Sequence, residues 1–551
     1  MKKSLYIFYS AAFLLFSTSC EQELVDNSAS PCPSSDPSVI CPQAEVVDCP
    51  SDASAGEADF TKFVAIGSSY TAGFQAGALF DEGQNNSLGK ILSSRFACVG
   101  GGDFNQPDIR SENGFNIFVT PNPIIDGASI TTLGRFRLQG TPPQPSPVLS
   151  GMEAIPNPGL NPGFMYTGST GAVPANELNN FGVQAIVLGQ AFIPETGDWA
   201  GAGTDPRFNP FYARFASDGG MGGATLFTDA ISSLSNGGSF FLFWLGMDDI
   251  MLHAAFGGDA TKAPLTPFEF EGPTNPGFKY LYDNAIQGLL ANPALEGVVA
   301  NYPDLFVMPH FTAVPWNAIP LDAATAETLT ENLANNYNAF LDGMVGVAVG
   351  FTADEAALRK LTYTAGQNAI LLNDETLTDL TPYMQAPPYD ALQPYAMARQ
   401  TKSTDILPLS AGAVLGEAVG PGAILGVSVP LADQYVLIPS ESQAIMTRLG
   451  EFNAHIKSVA DANPERLAFA DVNQGMKNLI AAQAGIANGI TITPNINPPT
   501  GIYSEDGLHP NGRGYAFIAN IFIDAINAQF AASVPKVNLA KYSATGLPTN
   551  P

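Results

Sequence analysis

Ser239-Phe240-Phe241-Leu242-Phe243-Trp244-Leu245 runs straight into Gly246-Met247-Asp248-Asp249. An unbroken apolar run of this length, with no polar alternation, suits a strand covered on both faces, and such strands belong to parallel sheets flanked by helices. Upstream, residues 61–66 form a second apolar run that ends in Gly67-Ser68-Ser69, the pattern by which a strand delivers a serine to a turn. Downstream, Ile445, Leu449, Phe452, Ile456 and Val459 recur at helical spacing and predict an amphipathic helix. Residues 467–472 then read as the last core strand, and Ile518, Phe522, Ile526 and Phe530 mark a closing helix. Residues 180–189 resume a compact pattern, residues 305–308 and 311–314 read as another strand region, and residues 369–372 as a further strand. Strands alternating with helices predict an α/β protein with a mainly parallel sheet and helices on both faces.

Two stretches do not fit that alternation. Residues 101–176 are rich in Pro, Gly and Asn and carry only short edge-strand candidates at 116–119 and 135–138; residues 318–430 are mixed, with several Pro-rich turns. Both read as insertions into a domain spanning 58–535, followed by a tail at 536–551. No internal repeat is visible.

The chain has 551 residues, of which 13% are charged, against roughly 25% in an average globular protein. Its 54 glycines and 44 prolines predict many long loops. A formal net charge of -28 makes nucleic acid and anionic membrane surfaces poor partners. Four histidines leave little material for a His-rich metal site, and no cofactor is expected.

Lys2 and Lys3 precede an apolar stretch over residues 5–16 and then Ser17-Thr18-Ser19-Cys20. A basic start, a short apolar core and small residues before a break make a secretory signal over 1–19, too short to span a bilayer comfortably. Small residues just before a cysteine resemble the lipobox of bacterial lipoproteins, in which that cysteine is lipidated. The expectation is an exported protein anchored through Cys20 to the cell envelope, at the outer membrane, with residues 20–57 as a flexible tether. The other reading is ordinary signal cleavage with Cys20 incidental. Cys32, Cys41 and Cys49 each precede a proline, and Cys98 lies in the next region. Four cysteines in an exported protein allow three pairings, and the lack of a Cys-x-x-Cys pattern argues against zinc.

The chemistry concentrates in Ser504-Glu505-Asp506-Gly507-Leu508-His509-Pro510-Asn511. An acid and a histidine three residues apart on a glycine-containing turn can set a carboxylate against an imidazole, two-thirds of a hydrolytic triad. The plain alternative is a surface turn holding an Asp and a His. Ser69 is the candidate nucleophile.

With Ser69, Gly246-x-Asp248-Asp249 and Asp506-x-x-His509 at successive positions, the core between about residues 60 and 532 resembles the SGNH (GDSL-type) hydrolases. The family's Gly-Asp-Ser-Leu block aligns with Gly67-Ser68-Ser69-Tyr70. Its Gly-x-Asn-Asp block aligns with Gly246-Met247-Asp248-Asp249, and its Asp-x-x-His block is matched unchanged at Asp506 and His509. The block of an Asn followed five residues later by Gly is matched by Asn180 and Ala185. The resemblance implies a three-layer α/β/α, flavodoxin-like core and acyl transfer to water, with Ser69, His509 and Asp506 as triad. It implies an oxyanion hole at the Ser69 N–H, the Ala185 N–H and the side chain of residue 248.

At 248 the family's amide donor is replaced by a carboxylate, which accepts hydrogen bonds and repels an oxyanion unless it is protonated. Ser68 replaces the family's Asp beside the nucleophile. The nucleophile stretch lacks Gly-x-Ser-x-Gly, so an α/β-hydrolase elbow is not supported. His253, His310 and His455 read as structural, Trp244 as core, and Phe164 and Tyr166 as weak groove candidates. Two functions follow: a serine esterase or lipase acting on an acyl ester of a lipid or glycan, or a non-catalytic ligand-binding lipoprotein that keeps the fold. The intact triad favours the first; Asp248 and Ala185 favour the second.

Overall fold

A computed structural model of the chain describes residues 49–109, 111–114, 116, 133–139, 144–149 and 175–545. The predicted signal segment, Cys20, Cys32, Cys41, residues 117–119, Phe164 and Tyr166 lie outside the described residues.

Five strands form one sheet: β1 (Phe63–Gly67), β2 (Asn180–Gly182), β3 (Phe240–Trp244), β4 (Glu296–Ala300) and β5 (Leu467–Ala470). Their order is β5-β4-β3-β1-β2, and every neighbouring pair is parallel. The apolar run at 239–245 becomes β3, buried along its whole length at the centre of the sheet. Each Phe or Leu buried there contributes roughly 1.5–3 kcal/mol of transfer free energy. From the β2 edge the order reads 2-1-3-4-5, one of the two common doubly wound arrangements, with the switch point between β1 and β3. Ligands of such sheets bind beyond the strands' carboxyl ends at that switch point.

The helices that position the site are α1 (Ser69–Ala72), α2 (Leu88–Phe96), α3 (Leu226–Ser235), α4 (Asp248–Ala255), α5 (Phe278–Leu290), α6 (Pro439–Asp461), α7 (Val472–Ala482) and α8 (Gly512–Gln529). α8 packs on α2 and lies against β5 and β4; α3, α5 and α6 form a second group against the sheet. The molecule is therefore α/β with helices flanking a parallel sheet, compatible with three α/β/α layers. α6 buries Ile445, Leu449, Phe452 and Ile456 of the predicted stripe. It begins at Pro439, where a missing N–H costs nothing, and Glu441 accepts the Ile438 N–H at 2.9 Å. α8 starts where the Asn511 side chain accepts the Gly514 N–H at 3.0 Å, and it buries Tyr515, Ile518, Phe522 and Ile526. Among the described residues no helix is long and apolar enough to cross a membrane.

One predicted strand region is corrected. Residues 305–314 hold turns and a short helix, Pro309–Thr312, and the strand of this region is β4, just upstream. Pro309 sits in the first helical turn. A short buried apolar run does not distinguish strand from helix by periodicity. The candidate at 135–138 lies in a hairpin of Leu133–Gln139 with Gln144–Leu149, and Asn116 makes one bridge to Ala78. The candidate at 369–372 overlaps Leu371–Asn373, which pairs with Ala398–Gln400 outside the main sheet.

Within residues 319–436 two hydrophobic clusters form apart from the main core, one around Tyr337, Phe340 and Leu371 and one around Ile370, Leu407 and Leu431. Arg399, buried, pairs with buried Asp374 at 2.6 Å and Asp405 at 2.7 Å. At the far end Val537 and Leu539 are buried in the main core, so the packed chain runs past residue 535.

Cys49 is bonded to Cys98, 49 residues away, which ties the start of the described chain to the turn after α2. Closing a loop of that size is worth roughly 2–4 kcal/mol, mainly by restricting the unfolded chain. Reducing this bond is expected to lower the melting temperature of the full chain, and a Cys98→Ser variant measured without reductant should melt like the reduced wild type.

Candidate active site

The register of the sheet brings the three loop sources together. Gly67 pairs with Gly182 on one side and with Trp244 on the other, so the chain leaves β1, β2 and β3 at one level. Those exits carry Ser69, Ala185 and Asp248. Gly67 is required there: a Cβ would lie 2.1 Å from Thr71 Oγ1 and 2.7 Å from the Trp244 carbonyl oxygen.

Ser69 opens α1, and its Oγ has two partners. It donates to Asp248 Oδ2 at 2.7 Å and accepts the Ala185 N–H at 3.1 Å. Ala185 adopts φ +52°, the left-handed region, which costs a residue with a Cβ roughly 1–2 kcal/mol. The loop is held in place by Asp249, whose carboxylate accepts the Leu188 N–H at 2.7 Å and the Thr266 hydroxyl at 2.8 Å. Asn180 is not bonded to Ser69; its Nδ2 donates to the Thr71 carbonyl of α1 at 3.2 Å. Ala185→Gly should relieve the backbone strain and raise the melting temperature, by a net gain below about 1 kcal/mol because glycine also gains freedom in the unfolded chain.

The turn at 504–511 presents the other two groups. Asp506 Oδ2 faces His509 Nδ1 at 3.0 Å and accepts the Gly77 N–H at 2.9 Å. Its Oδ1 accepts the N–H groups of Leu508 and His509 at 2.9 and 2.8 Å. Gly507 makes the turn at φ +70°, where a Cβ would meet the His310 backbone nitrogen at 2.7 Å. Burial pushes the Asp506 carboxyl up, but the adjacent His509 and the N–H donors outweigh it and hold it at about 2. An ionised Asp506 fixes the tautomer: Nδ1 carries the proton and Nε2 is left as the basic lone pair. His509 Nε2 is buried and has no hydrogen-bond partner among the described residues.

The turn is joined to the serine helix by further side chains. Tyr70, next to Ser69, donates to the Leu508 carbonyl at 2.7 Å and meets the His509 ring edge-on at 5.5 Å. Phe74 meets the same ring at 4.6 Å. His310, read as structural, lies directly behind the acid: its Nδ1–H donates to the Asp506 carbonyl at 2.9 Å, and burial lowers its pKa to about 4. His253 and His455 bond elsewhere, to the Ala263 carbonyl and Asp283. No sequence signal short of the fold would have singled out Tyr70, Phe74 or His310.

Asp248 and Asp249 are both buried, and burial pushes their carboxyls up to about 6 and about 7. Ser69, Asp248, Asp506 and His509 are each at most 2% exposed. Electrostatic interactions among them therefore act with little solvent screening. Among the described residues the one group with metal-ligand spacing is Glu375, Asp433 and Glu441, which shares no residue with this site. Compared with models of known protein families, with curated proteins and with solved structures, the chain matches none.

Proposed function

We propose that the chain is a serine ester hydrolase of the SGNH type, exported and lipid-anchored through Cys20, acting on an acyl ester of a lipid or glycan. The observation that carries the reading is the convergence on Ser69 Oγ of the Ala185 N–H and the residue-248 side chain, beside an oriented Asp506–His509 pair. Chain segments drawn from between residues 69 and 509 meet there at the sheet's switch point, where doubly wound folds bind ligands.

In this reading His509 Nε2 takes the proton of Ser69 as Oγ attacks the ester carbonyl, and Asp506 stabilises the imidazolium. The N–H groups of Ser69 and Ala185 face the developing oxyanion. His509 then returns the proton to the leaving alcohol, and water releases the acyl group by the same route. The Cys49–Cys98 bond suits an oxidising compartment outside the cytosol.

A second reading, a ligand-binding protein that retains the fold, draws on two observations: the Ser69 proton is given to Asp248, and His509 Nε2 has no partner among the described residues. Hydrolysis of p-nitrophenyl esters of increasing acyl length by the purified full chain separates the two. Turnover above the buffer rate supports the enzyme. Binding of an acyl ligand without turnover at any pH from 5 to 8 supports the binder.

A further inference from the structure

The Ser69 hydroxyl has one proton, and in the structure it goes to Asp248 Oδ2 at 2.7 Å rather than to His509. The other carboxyl oxygen, Asp248 Oδ1, is buried and makes no hydrogen bond among the described residues. An ionised Asp248 thus works against the chemistry twice: it holds the proton that His509 must take, and it sets a negative charge beside the developing oxyanion. We propose that Asp248 is a proton-operated catalytic residue, a latch on Ser69 as the carboxylate and the third oxyanion-hole donor as the carboxylic acid. This rests on the hydrolase reading and adds to it a condition, an acid-side working range.

The geometry suits both states. In the acid form Oδ1 is free to carry the proton, and the neutral carboxyl grips the serine hydroxyl less strongly. As Oγ bonds to the carbonyl carbon, its proton passes to His509 Nε2 and the carbonyl π electrons move onto oxygen. That oxygen accepts hydrogen bonds from the Asp248 O–H and the Ala185 N–H. Collapse breaks the bond to the alcohol, which leaves with the His509 proton; water then attacks, giving its proton to His509, and Ser69 recovers one when the acid departs. Asp248 keeps its own proton throughout.

Asp248 sits among Ser68 and Ser69 from the β1–α1 turn, His509 from the 504–511 turn, Asp249 on its own helix, and the phenols of Tyr70, Tyr302 and Tyr515. Within this set the Ser69 hydroxyl, His509, the Ser69 N–H and the Ser68 hydroxyl favour the carboxylate. Burial opposes them and prevails, pushing the carboxyl up to about 6. Carboxylic acids held neutral by burial so that they can donate to an oxyanion are an established device.

The test is kcat/KM for p-nitrophenyl ester hydrolysis between pH 5 and 8, for the full-length wild type and Asp248→Asn. The wild-type value should fall at least about tenfold from pH 6 to pH 8, following loss of the acid form. Asp248→Asn, which donates at every pH, should show no such fall and should exceed the wild type at pH 8 by up to the roughly 10²–10³-fold that one oxyanion donor supplies. A wild-type rate that climbs steadily to pH 8, or a folded Asp248→Asn slower than wild type there, would overturn the inference and leave Ser69 as nucleophile. If Asp248→Asn fails to fold, the wild-type profile alone decides. Absence of turnover in both folded proteins at every pH sinks the hydrolase reading and the inference with it.

Discussion

Ser69→Ala is expected to abolish ester hydrolysis, lowering kcat by at least about 10⁴-fold and toward the roughly 10⁶-fold seen when a serine nucleophile is removed from a triad. The size of the effect follows from how the site is built. Oγ is the atom on which the three sheet exits converge, touching the Ala185 N–H and Asp248. Without it the acyl-enzyme route is closed, and any residual rate comes from water activated by His509. Removing one oxygen from a small side chain leaves the strand, the turn and the β1–β3 pairing intact, so far-ultraviolet circular dichroism should be unchanged. A residual rate within tenfold of wild type would place the nucleophile elsewhere.

Asp506→Asn is the second large effect. The carboxylate accepts backbone N–H groups of Gly77, Leu508 and His509 as well as His509 Nδ1–H. An amide offers one acceptor oxygen and turns an NH₂ toward the remaining donors, leaving buried donors unpaired. It also permits the other imidazole tautomer, in which Nε2 carries the proton and no longer acts as a base. The expected loss in kcat is about 10⁴-fold. Stability changes with a definite pH dependence. The folded Asp506 carboxyl is held at about 2, below its unfolded value near 3.9. Its contribution, on the order of 2 kcal/mol, is present above about pH 4 and is lost as the pH falls toward 2. The Asn variant should therefore melt below wild type at pH 7, and the gap should shrink at pH 2–3.

Much of this arrangement was readable before any coordinates. β3 announced itself because five consecutive buried positions leave no room for polar alternation, and β1 for the same reason; β5 is a shorter run of four apolar residues. The Asp506–His509 pair was readable because three residues on one tight turn fix the distance almost by themselves. β4 was missed because Glu296 and Gly297 interrupt its apolar character, while Phe306, Val307, Met308 and Phe311 downstream offered a stronger apolar cluster that buries as turns and a short helix. The contacts that assemble the site were the least visible. Tyr70 reaches Leu508 across 438 residues, and Gly77 reaches Asp506 across 429. Only the sheet order makes them neighbours. Nor does the identity of Ala185 disclose its left-handed backbone, which is imposed by the loop held on Asp249.

The central claim is that Ser69 is an activated nucleophile. It is tested most directly by exposing the full-length protein, in detergent at about pH 6, to a fluorophosphonate probe and locating the adduct by peptide mass spectrometry. The account predicts one adduct, on Ser69, absent from Ser69→Ala and formed far more slowly by Asp506→Asn. A folded wild type that takes no label, or an adduct that persists in Ser69→Ala, would contradict it.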